Sequence, residues 1–406
     1  MSRAGLLVSM VVGGALTLTA CAGEGEPESQ STTTNPPVMS NPEPTFTQTP
    51  TPTPDPEPRE FTVVATGDIL LHERLWAQAE RDADDDGTWN FAPQLANITP
   101  VVEEAGLAIC HLEVPLAPED GPYQGYPYFS GPPQIVPALA ETGYDACTTA
   151  SNHTFDQGAE GIERTLDTLD RAGMAHAGSA RTKDEGRRPT VISVDTPDGP
   201  VQVGLLSYTY GFNGIPYPDG DEWRGNEIDE DTILAEAAAA REDGAEVVIA
   251  ALHWGNEYVH EPNEQQLELA PRLIEAPEID LLLGHHAHVV QPLEQIDGEW
   301  VVYGMGNLMA NHAEPEGPKS EGLLTRFTFT EDLASGTFST TAAEYLPLYQ
   351  TYTPPVEVLH VPAALDSGAT GTASESRLER ALERTVEVVE SRGGADDGLT
   401  MIGAGE

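Results

Sequence analysis

From Phe61 onward, short and almost wholly apolar runs alternate with stretches of helical spacing. Residues 61–65, 107–110, 144–149, 201–207, 246–252, 279–283 and 300–303 read as strands, because aliphatic and β-branched residues run on and then stop at Gly, Asn or His. Ile162, Leu166 and Leu169 stand at i, i+4 and i+7 and predict a helix that Gly173 ends. An Ala-rich helix is expected over 231–243, stopped by Gly244, and another over 264–275. Residues 322–348 read as a β-hairpin with Glu331, Asp332 and Gly336 near its turn. Residues 374–391 read as a charged amphipathic helix, and the last dozen residues as a disordered tail. The recurring order of strand, polar cluster and helix predicts a layered α/β domain with its polar groups gathered at strand ends.

The N-terminal part has a different pattern. Arg3 precedes an uncharged, mostly apolar run over 5–18, too short for a comfortable membrane span. Leu18-Thr19-Ala20-Cys21 then matches a bacterial lipobox, so Cys21 is expected to be lipidated and to become the mature N-terminus. Residues 22–59 are rich in Pro, Thr, Ser and Glu, and such a segment cannot bury enough surface to offset its ordering entropy. The expected organisation is a signal peptide over 1–21, an extended tether over 22–59, a main domain over 60–312, a β extension of it over 313–362, and a charged helix with its tail over 363–406. The protein is then expected on the outer face of the cytoplasmic membrane, held by a lipid.

Charge narrows the partners. The formal net charge is -48, from 67 acidic and 19 basic residues, and only Lys183 and Lys319 are lysines. Such a surface repels phosphate backbones, which argues against nucleic acid as a partner, and it attracts divalent cations. Of the three cysteines, Cys110 and Cys147 fall near the ends of strands that can be neighbours. An exported chain permits a disulfide between them, and two buried thiols fit the sequence as well.

Metal-type side chains follow the apolar runs at least five times: Asp68 with His72, Glu113, Asn152 with His153 and Asp156, His253, and His286 with His288. Carboxylate, amide and imidazole together suit two divalent ions of the Mn, Zn or Fe kind, and the scarcity of thiolates argues against a structural zinc site. Glu113 is the natural bridge between two such ions. His286 and His288, read as alternate strand positions, are expected to project to one side. Two ions side by side can activate water and offset charge on the attacking and leaving oxygens of an in-line displacement.

Residues 65–72 (ATGDILLH), Leu112-Glu113, 150–153 (ASNH) with Asp156 and Gly158, 253–258 (HWGNEY), 284–289 (GHHAHV), Gln291-Pro292 and 303–307 (YGMGN) together resemble the CapA, or poly-gamma-glutamate capsule synthesis, family. That family is similar to the calcineurin-like metallophosphoesterases. The resemblance covers about 61–312 and implies a β-sandwich flanked by helices. It implies that Asp68 and His288 hold one ion, that Glu113 bridges, and that Asn152, His253 and His286 hold the second. His153 is implied as proton donor to the leaving group, with Asp156 orienting it. His72 stands four residues past Asp68, where the superfamily has its histidine two past. His285 is expected to support the ligands, and His111, where the family has Asn, to form hydrogen bonds. Ser151 and Ala287 depart from the family's Asn and Pro. Glu257 and Tyr258 could contact substrate or pack a loop.

Three functions follow as expectations. The first is a metal-dependent hydrolase, phosphoesterase-like, outside the cell. The second is a non-enzymatic assembly or polymer-binding factor working with an anionic polymer and with membrane proteins of capsule synthesis. The third, a solute-binding lipoprotein, leaves the strand-end ligands unexplained.

Overall fold

The computed structural model describes residues 57–84, 88–312 and 317–403; the lipobox with Cys21 and residues 22–56 of the expected tether lie outside them. Two sheets carry the fold, of nine and six strands among the described residues. In the first, β1 (Glu60–Ile69) is followed on one side by β2 (Leu107–Leu112), β3 (Ala146–Thr148) and β4 (Ala175–Ala177), all parallel. In the second, β5 (Thr190–Val194), β6 (Val201–Thr209), β7 (Val247–His253), β8 (Leu281–His285), β9 (Leu293–Ile296) and β10 (Glu299–Val302) stand in the order β5-β6-β7-β8-β10-β9. The four strands β6, β7, β8 and β10 are parallel, and β5 and β9 close the edges antiparallel.

The chain then returns to the first sheet. There β11 (Asn307–Met309) pairs with the end of β1, and β12 (Glu321–Asp332) with β13 (Thr337–Gln350) forms the expected hairpin. This hairpin is part of the sheet: β12 pairs with β1 all along Glu60–Thr66. The strands β14 (Val358–His360) and β15 (Leu399–Met401) complete the far edge on β13. The tail expected to be disordered therefore contributes a strand, seated because Leu399 is buried against the core between the sheets. Arg59, assigned to the tether, is held by Glu331 and Glu246 at 2.7 Å each.

The continuous apolar runs are explained by burial on both faces. Along β7, Val247, Ile249 and Ala251 enter the core between the two sheets, while Val248, Ala250 and Leu252 face the helices Glu230–Glu242 and Glu264–Ile274. Along β1, Val63 and Ala65 face inward and Val64 faces the other way, toward the core that includes Ile162, Leu166 and Leu169 of helix Gly158–Ala172. Each such Val, Leu or Ile side chain contributes about 1.5–3 kcal/mol by burial. The result is helix, sheet, sheet, helix: the flanked sandwich expected from the sequence. Gly173 ends its helix at φ 76°, and Asn263 with Gln266 forms a capping box at the start of Glu264–Ile274. Cys110 and Cys147 stand opposite one another on β2 and β3 and form a disulfide. Among the described residues no helix is long and apolar enough to cross a membrane.

Candidate metal centre

All the parallel strands near the centre end on the same rim, where β1, β2 and β3 of one sheet meet β7 and β8 of the other. Asp68 reaches this rim through a bulge. The register runs Ala65 opposite Ile109 and then Asp68 opposite His111, three steps on β1 against two on β2. Such a bulge bends the strand and re-aims the next side chain. Gly67 is required here, because a Cβ would run into the Gly306 carbonyl. Glu113 follows β2 directly, Asn152 and His153 follow β3, and His253 is the last residue of β7.

His286 and His288 differ from expectation. They lie beyond the end of β8 in a bend, with φ of 85° and 54°. Their convergence comes from a left-handed backbone and not from alternate strand positions. Non-glycine residues pay for such angles, which are found where a site dictates the geometry. Part of the compensation is visible: the His286 N–H donates to Asp68 Oδ2 at 3.2 Å.

The structure brings six of the predicted ligands together. Asp68 Oδ2 lies 3.0 Å from His288 Nδ1, and Glu113 Oε1 lies 3.6 Å from His288 Nε2 and 3.9 Å from His253 Nε2. Asn152 Oδ1 is 3.1 Å from His253 Nε2, and the rings of His253 and His286 are 4.7 Å apart. Asp68, Glu113 and His288 offer ligand atoms close enough to share one ion, and Glu257 does so with His286 and His288. His72 is not among them. Its Nδ1 faces the Leu70 carbonyl and the Asn311 N–H, and its ring packs on Phe129 and His312. The longer spacing from Asp68 carries it into the wall of a neighbouring cleft.

Supporting contacts surround the cluster. His285 Nδ1 sits 3.1 Å from Asp68 Oδ1 and stacks at 3.9 Å on His111. His111 links Thr148 at 2.8 Å to His253 at 3.0 Å. Both thus make the hydrogen bonds expected of supporting groups, and His111 also has an atom within reach of an ion shared by Asp68 and His253. His153 Nδ1 is 2.7 Å from Asp156 Oδ2, which also accepts from the Phe129 N–H. Sequence reasoning missed Asn307, whose Oδ1 meets His288 Nδ1 at 3.0 Å, and Tyr210, whose ring lies 4.6 Å from His286. Asn307 closes the 303–307 motif, so it had a signal; Tyr210 had none.

Electrostatics set the cluster apart. Burial disfavours charge on Asp68, but His285 and His288 outweigh it and hold the carboxyl well below its usual range. Burial pushes Glu113 well above that range, against the pull of His288. Burial likewise drives His111 and His253 well below the usual imidazole value, and His286 to about 3. His288 behaves oppositely: despite burial, Glu113 and Asp68 lift it to about 9. Both carboxylate oxygens of Glu113 and the Nδ1 of His286 are buried without a hydrogen-bond partner. Uncompensated buried carboxylates are costly, and cations beside them remove the cost. The donor set thus fits divalent metal.

Residues 62–312 match the family model for the bacterial capsule synthesis protein PGA_cap. Similar curated proteins include the PGA biosynthesis protein CapA of Bacillus subtilis, 26% identical over 176 residues, which are 43% of this chain and 45% of that protein. A probable polyglutamine synthesis accessory protein of Mycobacterium tuberculosis is 26% identical over 292 residues, 67% of this chain and 73% of that protein. The chain spans less than half the length of the Bacillus relatives it matches. Among solved structures, the calcineurin-like phosphoesterase YfkN of Bacillus subtilis is similar with a TM-score of 0.45 and 15% identity, over 82% of this chain and 98% of that one. With the family model matching well over half of its length, on the stretch that carries the strand-end ligands, this chain belongs to the bacterial capsule synthesis PGA_cap family.

Proposed function

We propose that the protein is a two-metal-dependent hydrolase, phosphoesterase-like, that works at the cell surface in making or exporting an anionic glutamate polymer. The single observation that carries this reading is Glu113, a carboxylate buried without a hydrogen-bond partner between His253 and His288. Asp68, Glu113 and His288 would hold one ion, and Glu113, Asn152, His253 and His286 the other, of the Mn, Zn or Fe kind. Bound there, two divalent ions supply Lewis acidity that activates water and offsets developing negative charge.

The chain's own residues do the rest. Asp156 accepts from His153 Nδ1 and orients the ring, so that in its doubly protonated form the Nε2–H would be available to a leaving oxygen. His285 and Asn307 hold Asp68 and His288 in position through their hydrogen bonds. The lipobox at Cys21 supports an anchored location on the outer face of the membrane, with membrane proteins of capsule synthesis as partners.

The test is a panel of phosphomonoester, phosphodiester and γ-glutamyl substrates with the metal-loaded protein. Asp68→Ala and His286→Ala are expected to lower turnover at least about a hundredfold; unchanged turnover in both overturns the reading. A second reading, a polymer-binding assembly factor on the same fold, is favoured by the relatives' names, which speak of synthesis and not hydrolysis. It expects metal loading with no turnover of any substrate.

A further inference from the structure

Beside the metal centre opens a cleft of about 630 Å³, whose wall includes His153, His288 and the displaced His72. Among the described residues its lining is net positive, opposite in sign to the whole molecule. Lys319 and Arg74 line it, and Glu257 is the single acidic residue lining it among the described residues. The chain has only two lysines against 67 acidic residues, and one of them is here.

Neither cation is used for stability in the ordinary way. Among the described residues ten arginines, including Arg59, Arg181 and Arg326, are in ion pairs. Among the described residues Arg74 and Lys319 have no carboxylate within ion-pair distance. Instead each lies over an aromatic ring: Arg74 at 4.2 Å from the centroid of Tyr352, Lys319 at 3.9 Å from that of Tyr258. A ring face steadies a cation while leaving its outward N–H groups able to donate.

Lys319 is also built into place. Its carbonyl accepts from Asn307 Nδ2 at 2.9 Å, and Asn307 Oδ1 meets His288. Two residues on, Glu321 is buried and clamped by Arg377 at 2.9 Å and Arg384 at 2.6 Å, and Arg377 also binds the Gly317 carbonyl at 2.8 Å. The helix Glu375–Val389 thus fixes the segment that carries Lys319 against a predicted metal ligand. Lys319, Glu321 and the helix lie past residue 312, where the match to the family model ends, while Asn307 and His288 lie within it.

We propose that Lys319 and Arg74 form an oxyanion subsite that holds an anionic group of the substrate, a carboxylate or a phosphate, beside the metal centre. The proposal rests on the reading of that centre as the reactive site. A chain carrying -48 repels anions at long range, but exposed charges more than about 8 Å apart are largely screened at physiological salt. At contact, two cations with no carboxylate partner among the described residues therefore decide which ligands enter.

The test uses the purified metal-loaded protein, a fluorescent oligoglutamate, oligoglutamine of equal length, and inorganic phosphate as competitor. Lys319→Ala and Arg74→Ala are each expected to weaken oxyanion binding roughly tenfold, the loss of a charge-assisted contact. Lys319→Arg should restore most of the affinity, and Lys183→Ala, the same charge change on an exposed residue outside the cleft, should leave it unaltered. Metal content should be the same in all these variants. Oligoglutamate binding lost in both alanine variants identifies a carboxylate, and phosphate binding alone lost identifies a phosphate. Affinity for both probes unchanged in Lys319→Ala and Arg74→Ala overturns the subsite, even if Asp68→Ala abolishes turnover. Conversely, a wild-type protein that hydrolyses nothing yet loses binding in Lys319→Ala overturns the hydrolase and leaves the subsite standing.

Discussion

Among the described residues two cavities of similar size can be compared, and both are lined by histidine and at least one carboxylate. One, of about 580 Å³, lies by β4 and is lined by His176, Asp170, Arg181 and Glu185. There the carboxylates around Arg181 are paired. Arg181 binds Asp167 at 2.7 Å, Asp170 at 2.5 Å and Glu185 at 2.5 Å, and His176 takes Asp170 at 3.2 Å. Even the half-buried Glu236 receives the Tyr208 hydroxyl. The other cavity adjoins Asp68 and Glu113, which are 0% and 1% exposed. In that cluster carboxylates meet imidazoles and no arginine, and both oxygens of Glu113 lack a partner. Volume does not separate the two cavities. Buried polar groups left unsatisfied do, because they mark where something outside the chain must complete the charge balance.

The comparison can be broken most strongly by removing metal. A chelator is expected to lower stability by about 4 kcal/mol for a cation present at a thousand times its dissociation constant. Calorimetry with and without chelator measures this, and an unchanged melting temperature would place the centre in the same class as the Arg181 cavity.

A smaller effect of opposite sign is expected in the metal-free protein. Glu113→Gln should raise its stability at pH 7–8 by about 1–3 kcal/mol, since the amide removes the cost of ionising a buried, unpaired carboxyl. The sign follows from the upward shift of Glu113. The folded state holds this proton above the pH at which the unfolded chain releases it, so the group loses stability as pH rises through that window. Denaturant melts of both proteins with chelator present check it.

Metal affinity itself should depend on pH through His288. Its pKa is raised to about 9, so below that value a cation must displace a proton, while His286, at about 3, is already neutral. Affinity is expected to rise up to about tenfold per pH unit from 6 toward 9. Calorimetric titrations in buffers of different ionisation enthalpy would count the proton released; a flat profile with no release contradicts the assignment. The smallest effect belongs to the other cavity: Glu185→Gln should destabilise by no more than about 1 kcal/mol, as expected for a part-exposed ion pair.

Much of this was legible in the sequence. Strand-end positions named Asp68, Glu113, Asn152, His253, His286 and His288, because parallel strands that point one way deliver their last residues to one rim. The helix limit at Gly173 followed from capping chemistry. What stayed hidden depended on long-range pairing. The bulge that turns Asp68 inward is a relation between β1 and β2. The left-handed angles of His286 and His288 replace the strand alternation that their spacing suggested. The displacement of His72 follows from the turn after Leu70, and the strand formed by Leu399–Met401 exists because β13 offers an edge. Lys319 had a compositional signal, as one of two lysines, but its place beside His288 is set by Asn307 and by the helix Glu375–Val389.

The most direct test of the metal centre is the metal content of the purified protein, measured by mass spectrometry beside that of Glu113→Ala. Two equivalents of Mn, Zn or Fe per chain are expected in the unaltered protein, with loss of at least one in the variant. No bound divalent metal, or the same content in both proteins, would contradict the assignment of Glu113 as the bridge.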